Sequence, residues 1–329
     1  MSFLKFKIDL ITHKKLLYIH IMLILEKRGI SDIIKEIIDE NLNTIIGIMN
    51  NNIDGSINLY VDKKLIKNAL KCELLINFYF EKKYNYTGDI NYLSIIQNNF
   101  KNCIINIYLP FNPNINNLLS ALSHELTHLY ELYQIKDIFN KTKWENTTIL
   151  NDLGKMDLLD EYKSLKYFKD LFYLSLPHEI RARITSLHFY LLNLRTNDNK
   201  ELINNLISTK EYRYYKMLKN FNVNNYYENL SNEMDLDSMF NFFNFFINIM
   251  SIKFKKIETK NDLFVFLNKT NKYFNDVCFF YKKKISRIMK DVGLTNFDYL
   301  LEDKDIHSFE EYKNNFKKPE EINYNNYFQ

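Results

Sequence analysis

Residues 103–130 read C-I-I-N-I-Y-L-P-F-N-P-N-I-N-N-L-L-S-A-L-S-H-E-L-T-H-L-Y, and two different periods meet inside them. Ile105, Ile107 and Leu109 alternate with less apolar neighbours, the period of a strand over 103–109. Pro110 and Pro113 end that pattern, and a long helix is expected from about Asn114 to Gln134. On a helical wheel Ile115, Leu118, Leu122, Leu126, Leu129 and Tyr133 form one stripe, while His124 and His128 face nearly the opposite way. Such a helix packs into a core and still presents its histidines to a cleft.

Working outward, a second strand is expected over Leu74–Phe80, where Leu74, Ile76, Phe78 and Phe80 share a face, with Thr87-Gly88-Asp89 in the loop between the two strands. Upstream, residues 10–28 and 31–49 read as a helical pair, the second with Ile34, Ile38, Leu42, Ile45 and Met49 in register. An asparagine-rich break at Asn50-Asn51-Asn52 with Asp54-Gly55 closes the pair. Downstream, helices are expected over about 156–173, 177–195, 200–218, 238–252 and 261–290, followed by a loose polar tail beyond about Lys317. The fold class is therefore α+β, mainly helical, with a small sheet whose edge borders the histidine helix. The expected division is an N-terminal helical segment over 1–55, a core containing the histidine helix over 56–200 and a C-terminal helical region over 201–329.

The chemistry lies in His124-Glu125-Leu126-Thr127-His128. Histidines four apart on a helix are offset by about 40° and one turn, so both rings can reach one ion at about 2.0–2.1 Å. Glu125, about 100° round from His124, does not ligate but can stand over an open coordination position as a general base. A catalytic zinc normally takes three protein ligands, so a third is required. The better match is Glu179 in Leu176-Pro177-His178-Glu179-Ile180-Arg181-Ala182-Arg183, where Pro177 suits a first helical turn and the positive dipole end favours an ionised carboxylate. Glu179, Ala182, Arg183, Ser186 and Tyr190 share one face, and the small Ala182 and Ser186 allow a close approach of helices. The competing readings are a surface Glu179 paired with Arg183, His178 as the ligand instead, or Glu131, Asp152, Asp157 or Glu161 in that role. His13, His20 and His307 have no partner in sequence.

These residues resemble the gluzincin branch of zinc peptidases, whose pattern is H-E-x-x-H on one helix and a later glutamate, often within E-x-x-A, on another; Glu179-Ile180-Arg181-Ala182 carries the second half. Glu131 and Gln134 stand where the longer metzincin motif has other residues. The resemblance covers about residues 100–195. It implies a zincin-like core with Zn2+ held by His124, His128 and Glu179. It also implies peptide-bond hydrolysis in which Glu125 deprotonates water while the metal polarises the scissile carbonyl. An oxyanion donor is usual in such enzymes, and His178, His188 and Tyr190 are the candidates here. The implied partner is a protein or peptide substrate, which could add as a strand to the 103–109 edge. Two other readings share the motif: a non-catalytic metal-binding, structural or virion protein, and a helical interaction protein with a chance match.

Composition narrows the remaining classes. A net charge of +4, from 44 basic and 40 acidic residues spread along the chain, does not make a nucleic-acid surface. Cys72, Cys103 and Cys278 lie far apart with no C-x-x-C pair, and read as buried thiols of a reducing compartment. The Leu16–Leu25 run is too short to span a bilayer, and Glu26-Lys27-Arg28 stands where a signal-cleavage site would be. Phe240–Met250 carries three asparagines in eleven residues, which suits a buried helix rather than a span. A cytoplasmic setting is the default expectation; the AT-rich composition leaves a viral or exported one open.

Overall fold

Alternation of apolar side chains builds a four-stranded sheet in the computed structural model, which describes residues 30–64, 69–90, 101–134, 161–194, 198–294 and 301. The strands are β1 (Gly55–Lys64), β2 (Ala69–Phe80), β3 (Thr87–Ile90) and β4 (Asn102–Leu109), in the order β1-β2-β4-β3. Nine helices are found among the described residues: α1 (Ile30–Asn51), α2 (Ile115–Gln134), α3 (Lys163–Leu174), α4 (Pro177–Asn193), α5 (Asn199–Ser208), α6 (Lys210–Lys219), α7 (Val223–Glu233), α8 (Leu236–Ile249) and α9 (Lys260–Asp291). The protein is mainly helical with one small sheet. The expected helix over 10–28, His13, His20, His307, Asp152, Asp157 and the tail lie outside the described residues.

The chain divides into two compact units, Met1–Phe139 with Arg181–Arg195, and Asn140–Ile180 with Thr196–Gln329. In the first, β2 runs antiparallel to β1 and parallel to β4, while β3 adds antiparallel to the far side of β4. Ile57, Val61, Leu74, Ile76, Phe78, Ile105, Ile107 and Leu109 fill the buried face. On the opposite face Asn77 donates to Asn106 and Asn106 to Asp89, at 3.0 and 2.9 Å. There Tyr108 donates to Asp89 at 2.9 Å, and burial followed by that carboxylate pushes the phenol up to about 12.

Two expectations are corrected here. Thr87-Gly88-Asp89 is not a loop but most of β3, and among the described residues β3, not the 103–109 strand, is the terminal strand on that side of the sheet. The strand β1 was not expected at all. Its alternating Ile57, Leu59 and Val61 follow directly on α1, which ends at Asn52 in the left-handed region that asparagine tolerates. Asn52 and Asn112, both at positive φ, exchange two 2.8 Å hydrogen bonds and tie the end of α1 to the entrance of α2.

The second unit is organised around Phe168 of α3, fully buried, with the rings of Phe243 and Phe246 at 5.2 and 5.3 Å. The expected helix over 200–218 is two helices, because Thr209 takes an extended backbone and caps α6 through Tyr212 N–H at 3.2 Å. The Phe240–Met250 segment forms most of α8, with Phe242, Phe243, Phe246 and Ile247 buried. No helix among the described residues is long and apolar enough to cross a membrane. The 32-residue α9 begins in a capping box, Thr259 and Asp262 each bonding the other's backbone N–H. The Lys255 ammonium, then the Thr259 hydroxyl, hold the Asp262 carboxyl down to about 2.

A candidate metal centre on two helices

The side chain of Asn114 accepts from the N–H groups of Asn116 and Asn117 and so starts α2, one residue after Pro113. Asn114 N–H itself donates to Tyr86 Oη, which links the helix entrance to the residue just before β3. Along α2 Leu118, Leu122, Leu126 and Leu129 are buried as the stripe requires. The polar side is largely buried too: Ser123, Glu125, Thr127, His128 and Glu131 are all inside, with His124 half-buried. Ser123 and Thr127 are satisfied by donating to the carbonyls of Ser120 and Ser123. This helix thus buries its chemical face instead of leaving it to open solvent.

His124 and His128 turn their Nε2 atoms toward each other at 3.1 Å, with ring planes at 89°. Two nitrogens so spaced, each about 2.05 Å from a common ion, subtend about 100° there, close to a tetrahedral angle. Pro177 opens α4, and Glu179 stands in its first turn. Ligand atoms of His124, His128 and Glu179 all lie within 4.8 Å of one another, close enough to hold a metal ion. The boundary between the two units falls after Ile180, inside α4.

Glu179 is only 2% exposed, which removes the reading of a surface glutamate paired with Arg183. Tyr173 Oη donates to its Oε1 at 2.7 Å, and His178 Nε2 stands 3.8 Å from the same oxygen. A tyrosine hydrogen bond of this kind fixes the orientation of a carboxylate, as supporting hydrogen bonds do in metal sites. Among the described residues, no second group of three histidine, cysteine, aspartate or glutamate side chains gathers in this way. His178 therefore lies beside the Glu179 carboxylate but outside the clustered set. His188 and Tyr190 sit further along α4, with Cα atoms about 13 and 16 Å along the axis from Glu179 by helical rise, which leaves His178 the nearest of the three.

Of the fallback carboxylates, the two among the described residues, Glu131 and Glu161, lie outside the cluster. Glu131 is buried against Arg181, whose Nε donates to its Oε1, so that carboxylate is committed to an ion pair joining α2 to α4. Glu161 is exposed. Glu125 is 6% exposed and lies against Gly88 of β3, whose position a Cβ would bring within 2.5 Å of Glu125 Cγ. Tyr173, Arg181 and Gly88 are the residues that sequence reasoning did not assign to the site. Only Gly88 carried a signal, as a glycine between two strand candidates. Two imidazoles and a carboxylate, convergent and with only His124 partly exposed, are a donor set that suits zinc. Comparison of the chain with protein-family models, curated proteins and solved structures gives no match.

Proposed function

We propose that this chain is a zinc-dependent peptidase of the gluzincin type, built on a zincin-like core. The observation that carries the reading is the convergence of His124, His128 and Glu179 beside a separate buried glutamate, Glu125, on the same helix as the histidines. A structural site needs the ligands but has no use for Glu125. These three side chains would hold a zinc ion, which would supply Lewis acidity toward a substrate carbonyl and a water molecule.

The protein's own groups then have distinct tasks. Glu125 accepts the proton that a water molecule loses as it attacks, and returns it to the leaving amine. Its low exposure keeps bulk water from competing for that proton. Tyr173 holds Glu179 in one rotamer, and the Glu131–Arg181 pair holds α4 on α2. Of the three candidate oxyanion donors, His178, adjacent to Glu179 in sequence with its Nε2 3.8 Å from Glu179 Oε1, is the one this reading adopts. β3, the last strand of the sheet on that side among the described residues, is where an extended peptide would add.

Elemental analysis and a fluorescence-quenched peptide library test this together. The expected result is one zinc per chain, hydrolysis by wild type, and a Glu125→Gln protein that keeps its zinc and loses hydrolysis. Zinc retention with no hydrolysis by wild type would assign the chain to a non-catalytic metal-binding role. Iron in place of zinc would point to the oxygen chemistry that the same two-histidine, one-carboxylate set supports.

A further inference from the structure

Gly88 lies at the centre of β3 opposite Ile107, whose side chain is fully buried, so a side chain at 88 would point to the inner face of the sheet. Its backbone is not in the left-handed region; among the described glycines only Gly293 is. What the position requires is therefore space and not conformational freedom. The occupant of that space is Glu125: a Cβ at 88 would stand 2.5 Å from its Cγ, 3.0 Å from its Cδ and 3.0 Å from its Oε1. The nearest conflict is with a methylene in the middle of the side chain, so a flick of the carboxylate would not relieve it. Glu125 would have to leave its rotamer.

We propose that Gly88 is a positioning residue for Glu125: the bare backbone at this point of the edge strand forms the slot that fixes where the glutamate's carboxylate stands. This deepens the peptidase reading and rests on it for its catalytic consequence. With any side chain at 88 the carboxylate swings off its line while His124, His128 and Glu179 remain untouched. Misplacing a reacting group by about 1 Å costs about a hundredfold in rate. The flanking Thr87 and Asp89 face the other side of the sheet, where Asp89 bonds Asn106 and Tyr108, so they bear on Glu125 far less.

Four proteins test this: wild type, Gly88→Ala, Glu125→Ala and the double variant. Thermal melting reads the contact without any need for activity. Gly88→Ala should lower the melting temperature by several degrees in wild type and by much less in the Glu125→Ala background, where the obstructing atoms are gone. Zinc content should be equal in all four. On the peptide library, Gly88→Ala should lower kcat about a hundredfold with KM within about twofold. An equal loss of melting temperature in both backgrounds, or an unchanged kcat, overturns the proposal. If wild type hydrolyses nothing, the catalytic role falls with the peptidase reading, whereas a positive melting cycle still establishes the slot.

Discussion

Replacing Glu131 with leucine would leave the Arg181 guanidinium buried without its carboxylate, in a place where the two side chains are 1% and 9% exposed. Removing one member of a buried ion pair costs about 3–5 kcal/mol, because the stranded charge is not returned to water. At about 2–4 °C per kcal/mol for a unit of this size, the melting temperature should fall by about 6–20 °C. Melting is best followed by circular dichroism in the presence of a chelator, so that metal binding does not add its own stabilisation. The double variant Glu131→Leu/Arg181→Met should regain most of the loss, since a well-packed apolar pair of similar volume often matches a buried ion pair. A single variant that melts within about 2 °C of wild type would refute the buried pair, as would a double variant no more stable than the worse single.

Other expectations follow from the same geometry. Tyr173→Phe removes the hydrogen bond to Glu179 and should weaken zinc affinity about 10- to 100-fold, measured against a competing chelator, with stability lowered by only about 1 kcal/mol. Phe168→Ala, at the centre of the aromatic core, should cost about 3–5 kcal/mol in urea unfolding, with no change in zinc affinity beyond that due to unfolding. Asp262 titrates at about 2 in the folded protein against 3.8 unperturbed, so its stabilisation is full above the higher value and lost as pH falls through the lower. The melting gap between wild type and Asp262→Asn should accordingly narrow from about pH 5 to about pH 2, and a gap that widened would contradict that sign.

The histidine helix was legible because a four-residue spacing and an apolar stripe are local facts of sequence. Glu179 was legible through Pro177, which marks a helix start whatever lies around it. Beyond that, the sequence held less. β3 is four residues long, too short to show a period, and exists because β4 offers it a partner. β1 did alternate, yet the asparagine run before it reads as a break, and only the pairing with β2 shows that the chain turns straight back into a sheet. Tyr173 reaches Glu179 across the Ser175–Leu176 turn between two helices, and no periodicity crosses such a junction. Glu131 and Arg181 are 50 positions apart, and nothing local distinguishes them from surface charges. The helix break at Thr209 was readable in principle, as a capping threonine with Glu211 in the next turn.

X-ray absorption at the zinc edge on the purified protein measures the central claim at its source. The account predicts a four-coordinate ion with two imidazole nitrogens and oxygen ligands at about 2.0–2.1 Å, losing one imidazole in His128→Ala and one oxygen in Glu179→Gln. A protein that takes up no zinc, or an ion whose shell is unchanged by both substitutions, would contradict it.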